Sequence, residues 1–310
     1  MIRIGILVSP QFQLLSLAMV TVFEYTNQSR EQPLYSVALL SEQGGPVMSS
    51  SGVEVSTAAF GEGRYDTLIV AGGDDSAIGS PALIDYLRRS ASHTRRLGGP
   101  CTGAFNLAEA GLLDGRRATT HWFHAISMRH QYPQVKLRED SIFIEDGGIW
   151  TSAGATACID LALAFVEGDA GAEMARLVAK KLVVYHRRQG GQSQHSALLE
   201  MAPRTDRIQK ALAYAKRNLH QRLSVEELAE AVHLSPRQFS RAFTDETGMT
   251  PAKAVERLRM ETARLMVESS TVPIETVARD TGFGDPDRMR RAFLRAYGQA
   301  PQMIRRAAAA

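Results

Sequence analysis

Cysteine is scarce in this sequence: only Cys101 and Cys158 occur among 310 residues. Two thiols allow one disulfide at most, and a chain of this length buries enough apolar surface to be stable without any. A disulfide-rich secreted scaffold is therefore excluded, and both cysteines are expected to be reduced thiols. The histidines lack the spacing of metal ligands, such as two His at i and i+4 with a Glu, so neither a metal nor a cofactor is expected.

Long hydrophobic runs are also missing. Hydrophobic residues make up 44% of the chain and charged residues 22%, which is ordinary for a soluble protein. No stretch approaches the roughly 18 consecutive apolar residues that span a bilayer. Residues 1–8 lead straight into an apolar strand pattern rather than into the basic and apolar segments of a secretion signal. We therefore expect a cytoplasmic protein that has no membrane partner.

The net charge is only +3, but the charge is unevenly distributed. Residues 203–310 contain 19 Lys and Arg against 13 Asp and Glu, whereas residues 1–202 contain 17 against 20. Such asymmetry is expected when one domain meets phosphate groups and the other does not. An ordinary soluble surface with a modest basic excess is the alternative interpretation.

The length favours two domains, and the residue pattern changes along the chain accordingly. Before about residue 188, short apolar runs alternate with segments of helical spacing. The predicted strands are Arg3–Val8, Tyr35–Ser41, Thr67–Ala71, Arg117–Thr120 and Gly148–Thr151. Helical faces are formed by Leu14, Leu15, Ala18, Val22 and Phe23 and by Ile159, Leu161, Ala162, Leu163, Phe165 and Val166. This alternation predicts a flavodoxin-like α/β domain, with a mainly parallel sheet covered by helices on both faces.

The pattern changes after Tyr185. Residues 187–196 are polar and glycine-rich, and Pro203 follows close behind, which is typical of a linker. Beyond it the sequence contains only amphipathic helical segments. The predicted helices are Ile208–Leu219, Val225–Val232, Pro236–Thr247, Pro251–Glu268, Ile274–Asp280 and Pro286–Tyr297. We therefore predict an α/β domain at residues 1–188, a linker at 189–203 and an all-α domain at 204–310.

Two stretches of the all-α region resemble each other at an offset of about 50 residues. Residues 235–243 (SPRQFSRAF) align with residues 285–293 (DPDRMRRAF). Each copy follows a short helix and opens with a polar N-cap, Ser235 or Asp285, and then a proline at the first helical position. This pattern predicts a helix-turn-helix unit that occurs twice.

The second helix of each copy has an apolar and a polar face. Phe239 and Phe243, like Met289 and Phe293, lie four residues apart and are expected to face the core. Arg and Gln read base edges in the major groove, and Arg also neutralises phosphates. The candidate DNA-binding residues on the polar faces are Arg237, Gln238, Ser240 and Arg241 in the first copy and Arg288, Arg290, Arg291 and Arg295 in the second. The first copy favours base reading and the arginine-rich second copy favours phosphate contact, with a solvated helix face as the alternative for any single arginine.

A long helix predicted between the copies, Pro251–Glu268, spans roughly 27 Å, enough to hold two recognition helices about one DNA turn apart. The repeat, this helix and the segments 282–285 (GFGD) and 297–301 (YGQAP) are together similar to the AraC/XylS DNA-binding domain over about 100 residues. The resemblance implies that the all-α domain binds double-stranded promoter DNA.

In the first region, residues 99–105 (GPCTGAF) place Cys101 on a small-residue turn between an extended stretch and a helix predicted at Thr102–Ala110. A helix N-terminus stabilises a thiolate through the helix dipole. Together with residues 71–74 (AGGD) and 119–122 (TTHW), this turn resembles the ThiJ/PfpI superfamily, and the resemblance covers roughly residues 3–186.

The ThiJ/PfpI resemblance implies a site around the cysteine, because in that superfamily a glycine pair and the amide after the cysteine form an oxyanion hole near a histidine. The candidate ligand-binding residues are Cys101, Thr102, Gly72, Gly73, His121, Trp122 and Ser16. Ser16 stands where catalytic relatives have a carboxylate, so no catalytic residue is assigned. Cys101 is interpreted as a pocket residue, with a nucleophile and a structural small hydrophobe as alternatives. Trp122 either stacks on a ligand or belongs to the core.

The order of the two domains resembles the GlxA-type regulators over nearly the entire chain. That resemblance implies a sequence-specific transcriptional activator that responds to a small-molecule effector, amino-acid-like or a quaternary amine. It also implies a homodimer and, for an activator, RNA polymerase as a partner. The alternative is an enzyme, a cysteine-dependent hydrolase or a glyoxalase-like lyase, fused to DNA-binding helices.

Overall fold

The computed structural model divides the chain into two compact units, Met1–Gln194 and His195–Ala310. It describes all residues except 62, 74–77, 185–186, 189, 191–193, 195–196, 198–200, 202 and 310, and it describes the backbone alone at 269 and 307–309. Most of the predicted linker, 189–203, lies outside the described residues. Every helix in the described part of the chain is too short or too polar to cross a membrane.

The first unit alternates strands and helices, as the sequence pattern predicts. Its strands are β1 (Ile2–Leu7), β2 (Tyr35–Ser41), β3 (Gln43–Met48), β4 (Glu54–Ala59), β5 (Thr67–Val70), β6 (Arg96–Pro100), β7 (Arg117–Ala118), β8 (Lys136–Leu137), β9 (Phe143–Asp146) and β10 (Ile149–Ser152). Its helices are α1 (Ala18–Gln28), α2 (Pro81–Ser90), α3 (Gly103–Glu109), α4 (Ala125–Gln131) and α5 (Ala157–Lys181), and short 3₁₀ turns lie at Leu14–Leu17 and Trp122–His124.

Eight of these strands form one sheet in the order β3-β4-β2-β1-β5-β6-β10-β9. The inner pairs are parallel, whereas the β3–β4 and β9–β10 pairs at the two edges are antiparallel. Because the inner strands are parallel, their carboxyl ends meet at one edge of the sheet, where ligands bind in folds of this class. The predicted mainly parallel α/β fold is confirmed.

Helices cover both faces of the sheet, so the central strands are buried on both sides. Ile4 and Ile6 of β1 pack with α1 and α5 on one face, and Leu7 packs with α2 and α3 on the other. This alternation follows from the two-residue period of a strand. It explains why the strand sequences are nearly continuous apolar runs.

The helix predicted from Leu14 begins later than the sequence pattern indicates. Residues 14–17 form a 3₁₀ turn, and Leu14 and Leu15 are 37% and 48% exposed. The prediction that these two leucines belong to the same helix face as Val22 and Phe23 is therefore wrong. A 3₁₀ turn has three residues per turn and does not continue the face of the α-helix behind it, on which Val22 and Phe23 are fully buried.

The second unit is all-helical. Its helices are α6 (Asp206–Arg217), α7 (Val225–Glu230), α8 (Pro236–Thr247), α9 (Pro251–Ser269), α10 (Ile274–Asp280), α11 (Pro286–Tyr297) and α12 (Pro301–Ala309). The predicted repeat is visible in the pairs α7–α8 and α10–α11, and α12 is an addition to the predicted helices. Both second helices end on a left-handed glycine, Gly248 or Gly298.

The long helix α9 joins two separate hydrophobic cores. Ala254 and Leu258 in its first half pack with Phe239 and Phe243 of the first helix-turn-helix. Ala263 and Val267 in its second half pack into the other core. That second core contains Met289 and Phe293, and all four of the predicted core residues on the recognition helices are at most 1% exposed. The two helix-turn-helix units are therefore held by one rod of about 28 Å.

Candidate functional site

The first recognition helix, α8, begins with a capping box. The Ser235 hydroxyl accepts a hydrogen bond from the Gln238 amide (3.4 Å), and the Gln238 side-chain oxygen accepts from the Ser235 backbone N–H (3.2 Å). Arg237 and Arg241 are exposed on the polar face, and Ser240 is half-buried. The structure therefore presents two arginines to solvent on the face that the sequence predicted for DNA.

Gln238 lies on that face but is engaged by its own helix, because its side-chain oxygen also accepts from the Ser235 hydroxyl (2.8 Å). Bidentate reading of adenine needs both the oxygen and the nitrogen of the amide group. The capping box and adenine recognition therefore compete for the same oxygen atom of Gln238. Arg237 and Arg241 are the better candidates for base contacts in this helix.

The second recognition helix, α11, is more basic. Its four candidate residues are all exposed: Arg288, Arg290, Arg291 and Arg295. Arg295 forms an ion pair with Glu256 of α9 at 3.0 Å, and Glu256 also binds Lys253 at 3.0 Å. Hydrogen bonds from Lys253 and Arg295 hold the pKa of Glu256 below its usual range, so this carboxylate is ionised and orients Arg295.

Arg259 of α9 adds positive charge beside α11. Its guanidinium donates to the carbonyl oxygens of Leu219 (3.2 Å) and Gln221 (2.6 Å), which lie between α6 and α7. Burial, together with the positive charge of Arg288, lowers the pKa of Arg259. This arrangement concentrates positive charge near the second recognition helix, as phosphate binding requires.

In the first unit, Cys101 lies between β6 and α3 on a sharp turn. Its φ of 51° is in the left-handed region, which non-glycine residues rarely adopt. Residues 96–100 form a fully buried strand, so the extended stretch predicted before the cysteine is part of the sheet. Gly103 permits the turn, since a Cβ there would lie 2.2 Å from the Val70 carbonyl oxygen. The geometry is that of an elbow that carries a thiol at the carboxyl ends of the strands.

The elbow is enclosed, because Cys101 is only 4% exposed. Its backbone N–H donates to the Ser152 carbonyl at 2.8 Å. Gly154, with φ of 74°, lies directly against it, and a Cβ at Gly154 would be 2.2 Å from the Cys101 Cβ. Only glycine fits this position beside the thiol.

The two glycine amides of the predicted oxyanion hole bind the protein's own hydroxyl groups. The Gly72 N–H donates to the Ser16 hydroxyl (3.2 Å), and the Gly73 N–H donates to the Thr102 hydroxyl (2.8 Å). Ser16 and Thr102 are buried. Asp74, which completes the sequence motif, lies outside the described residues. The structure thus brings five of the seven predicted ligand residues together, and their polar groups bind one another.

His121 and Trp122 follow the short strand β7. The predicted strand Arg117–Thr120 ends early, because the Thr119 N–H donates to the Thr151 hydroxyl (2.9 Å) and the Thr120 hydroxyl donates to the Cys101 carbonyl (2.8 Å). These side-chain contacts replace ladder hydrogen bonds and direct the chain over the elbow.

The two aromatic residues lie at the surface beside this turn. His121 Nδ1 accepts from the Phe123 N–H at 3.3 Å, and the His121 and Trp122 rings are 5.5 Å apart. Trp122 is 50% exposed. The core alternative for Trp122 is therefore wrong, because half of its surface faces solvent, where a ligand can reach it.

The sequence did not indicate two further groups near the elbow. Gln194 inserts its side chain against residues 119–122, and Arg188 binds Asp160 at the start of α5 through Nη2 at 2.7 Å. Burial raises the pKa of Asp160 against the effect of Arg188. Both new contact residues come from the polar segment that the sequence pattern predicts as a linker, so composition alone gave no signal.

The second thiol is part of the core. Cys158 is fully buried, and burial raises the pKa of its thiol to about 12. It stays protonated at neutral pH, as a packing residue does. Among the described residues, no three His, Cys, Asp or Glu side chains are grouped in a way that could hold a metal ion.

Comparison with known proteins gives two family matches. The DJ-1/PfpI family matches residues 17–168, and a helix-turn-helix domain matches residues 228–307. The HTH-type transcriptional regulator GlxA of Rhizobium meliloti (strain 1021) is 31% identical over 318 residues, which cover 98% of this chain and 95% of that protein. The HTH-type transcriptional regulator CdhR of Pseudomonas aeruginosa is 32% identical and covers 88% of this chain and 82% of that protein.

Two further similarities concern the first unit. A crystal structure of an AraC family transcriptional regulator from Pseudomonas putida matches with a TM-score of 0.54 and 25% identity, and the match covers 59% of this chain and all of that one. The isonitrile hydratase of Pseudomonas putida is 35% identical over 144 residues, 44% of this chain and 60% of the enzyme. The fold therefore occurs both in regulators and in an enzyme.

Proposed function

The chain belongs to the family of HTH-type transcriptional regulators that includes GlxA, and we propose that within this DNA-binding function a small-molecule effector bound beside Cys101 controls promoter recognition. The observation that supports the DNA-binding role most directly is the repeat itself. Two capped recognition helices, α8 and α11, expose arginines and pack on one rigid helix, α9. One rod between two such helices suits two successive major grooves.

In this proposal the two recognition helices have different tasks. Arg237 and Arg241 on α8 contact bases, because neither the capping box nor a neighbouring helix uses their guanidinium groups in the contacts described above. The arginines of α11 neutralise phosphates, and Arg259 adds to the positive charge beside them. Base contacts set the choice of sequence, whereas phosphate contacts set affinity and its dependence on salt.

Replacing Arg241 or Arg237 by alanine tests this assignment. We expect a loss of ~1–3 kcal/mol on the promoter fragment that the wild-type protein retains and a smaller loss on random DNA. Binding is measured by titration of both DNAs at one salt concentration. Arg89→Ala in the first unit, which removes an equal charge from an exposed site, is the matched control. Equal losses on both DNAs would make the residue a phosphate contact.

The proposed effector site is the elbow around Cys101. Gly72, Gly73 and Thr102 lie beside Cys101 at the elbow, and His121 follows Thr120, whose hydroxyl binds the Cys101 carbonyl. The half-exposed Trp122 ring offers an aromatic face to an amino-acid-like or quaternary-amine ligand. Since the Gly72 and Gly73 amides bind Ser16 and Thr102 internally, a ligand has to displace those hydroxyls or bind above them. We further propose a homodimer through the first unit and, if the protein activates transcription, RNA polymerase as a partner.

Catalysis is the second candidate function, and the similarity to isonitrile hydratase together with the Cys101 elbow favours it. Against it, Ser16 supplies a hydroxyl where the catalytic relatives have a carboxylate, so no acid at that position handles protons for the thiol. Steady consumption of an isonitrile, amide or glyoxal substrate that Cys101→Ser abolishes would support the enzyme. Without such turnover, Cys101 is a pocket residue.

A further inference from the structure

The last residue of the first unit, Gln194, inserts its side chain between two loops. Its amide nitrogen donates to the carbonyl oxygens of Thr120 (2.7 Å) and Glu139 (2.8 Å). Its amide oxygen accepts from the Trp122 backbone N–H at 2.8 Å. The Gln194 backbone N–H donates to the Asp140 carboxylate at 3.1 Å. One glutamine side chain therefore bridges residues 119–122 and 139–141.

These contacts use both the nitrogen and the oxygen of the Gln194 side-chain amide, and they fix the position of the side chain. An amide NH2 group has two protons, and the two shortest bonds, to Thr120 and Glu139, account for both. The amide oxygen is used as well. Such complete pairing is unusual for a glutamine in a polar, glycine-rich segment, where a solvated side chain is the ordinary expectation.

The segment that Gln194 holds is attached to the elbow. The Thr120 hydroxyl donates to the Cys101 carbonyl at 2.8 Å, while the Thr120 carbonyl accepts from Gln194. Thr120 therefore links Cys101 to Gln194, the residue at which the first unit ends. His121 and Trp122, both candidate ligand residues, come next in the same segment.

A second attachment lies on the other side of the elbow. Arg188 donates to the Asp160 carboxylate through Nε (2.9 Å) and to the Thr156 hydroxyl through Nη2 (2.9 Å). Thr156 and Asp160 lie at the start of α5, directly after Gly154, which packs against Cys101. Arg188 and Gln194 are therefore both attached to segments that contact the Cys101 turn.

We propose that Gln194 is a latch that couples the pocket around Cys101 to the segment leading into the DNA-binding unit. This inference rests on the proposed effector site. A ligand that displaces residues 120–122 pulls the Thr120 carbonyl and the Trp122 N–H away from Gln194, and the end of the first unit is then released. An empty pocket keeps both loops in place and the latch closed.

Coupling of this kind is reciprocal, which permits a test without knowing the effector. If opening of the pocket releases Gln194, removal of the Gln194 amide must favour opening of the pocket. Cys101 reports opening, because this residue is only 4% exposed, the Thr120 hydroxyl binds its carbonyl and Gly154 packs against its Cβ. Cys158 provides an internal reference, because it is fully buried in the core of the same unit.

The experiment compares the alkylation rates of the two cysteines by iodoacetamide in the full-length protein, read by mass spectrometry. In Gln194→Met, which keeps the length of the side chain and loses the amide, we expect Cys101 to react about fivefold faster or more, with Cys158 unchanged. Gln131→Met is the matched control, since Gln131 is an exposed glutamine of α4 whose side chain binds Ser127. Gln194→Asn, too short to bridge both loops, replaces the methionine variant if that variant does not fold.

The coupling is also tested from the pocket towards Gln194. Here the carboxamidomethyl group that iodoacetamide adds to Cys101 occupies the pocket. Wild-type protein alkylated at Cys101 is expected to be cut by trypsin after Arg187 and Arg188 faster than unmodified protein. Unchanged Cys101 reactivity in Gln194→Met, or a parallel rise at Cys158, would overturn the latch, because the side chain would then be a structural anchor only.

Failure of the latch is distinguishable from failure of the proposed function. Selective retention of promoter DNA by the wild-type protein, with no change of Cys101 reactivity in Gln194→Met, leaves the regulator intact and removes the latch. A clear change of Cys101 reactivity in a protein that binds all DNA equally leaves the coupling intact and removes promoter recognition.

Discussion

Asp169 is a buried carboxylate of the first unit that three side chains bind. Its carboxylate is 2% exposed and accepts hydrogen bonds from Arg96, from Arg95 (2.9 Å) and from the Tyr35 hydroxyl (3.0 Å). These contacts tie α5 to β6 and β2 shortly before Gly171 interrupts the helix with a φ of 86°. Burial alone would raise the pKa of Asp169, but the hydrogen bonds from Arg96 and Arg95 outweigh it and keep the pKa low.

Replacing Asp169 by asparagine is therefore expected to destabilise the first unit by about 3–5 kcal/mol at neutral pH, because Arg96 is left buried without its counter-charge. Since folding lowers the pKa of Asp169, its stabilisation is present above the unfolded value of about 3.9 and is lost as the pH falls through the folded value. The stability difference from wild type should narrow below about pH 4.

Urea unfolding of the wild type and of Asp169→Asn, from neutral pH down to about pH 2.5, measures this difference in stability. Asp85→Asn is the control, because Asp85 pairs with Arg88 at an exposed site where an ion pair contributes little. A difference between wild type and Asp169→Asn that stays constant down to about pH 2.5 would show that the lost charge is not what destabilises the variant.

The sequence predicted the individual residues that belong to a local motif. It missed the residues whose roles depend on tertiary contacts. The small residues around Cys101 predicted the elbow, and Ser16, Gly72 and Thr102 do lie beside it. Gln194 carried no signal, because its partners are 53–75 positions away in the chain. Internal pairing of the Gly73 amide with Thr102 likewise depends on a contact that no local pattern contains.

Among the elements, the recognition helices show how capping serves both folding and function. Helix α8 has a Ser235–Gln238 capping box, a proline at its first position and the left-handed Gly248 at its end. Helix α11 uses Asp285, whose carboxylate accepts from the Asp287 N–H at 3.0 Å. These local signals explain why the sequence placed both helices at the residues where the structure has them.

Two substitutions separate the roles of the capping box. Ser235→Ala is expected to cost about 1 kcal/mol of stability, because the cap of α8 is lost. Gln238→Glu is expected to keep the stability, since a glutamate suits the third position of a capping box, and to weaken binding to DNA by placing a negative charge on the recognition face. Thermal unfolding and DNA titration of both variants provide the two measurements.

The matched control is Ser224→Ala, which removes the equivalent capping box from α7, a helix outside the predicted recognition face. Ser224→Ala should lower the stability by a similar amount, and it adds no charge that could weaken DNA binding. Undiminished DNA binding by Gln238→Glu would contradict the placement of this helix in a major groove.

Several elements of the first unit carried no sequence signal. The sequence indicated β1, β2, β5, β7 and β10, but it did not indicate β3, β4, β8 or β9, nor the helices α2 and α4. Residues 43–48 contain Gly44, Gly45 and Pro46, which disfavour a strand locally, and they are held by antiparallel pairing with residues 54–59. Edge strands gain their order from partners rather than from their own apolar pattern, so they escape prediction from the sequence.

The chain consists of two compact units with separate hydrophobic clusters, and the basic excess lies in the second unit. The family match spans 98% of the chain, so the two units form one regulator rather than an unrelated fusion. Domain order and fold class followed from the change of periodicity and from the repeat. The division after Gln194 falls inside the segment predicted as a linker, whose residues beyond Arg188 lie mostly outside the described part of the chain.

Promoter recognition is measured by binding of the full-length protein to DNA from its own neighbouring promoters, in competition with random DNA across a salt series. We predict that one promoter fragment is retained at least about 10³-fold more tightly than random DNA at physiological salt, with affinity falling steeply as salt rises. Retention at low salt alone, equal on all sequences, would contradict the account, because the second unit would then be only a basic surface.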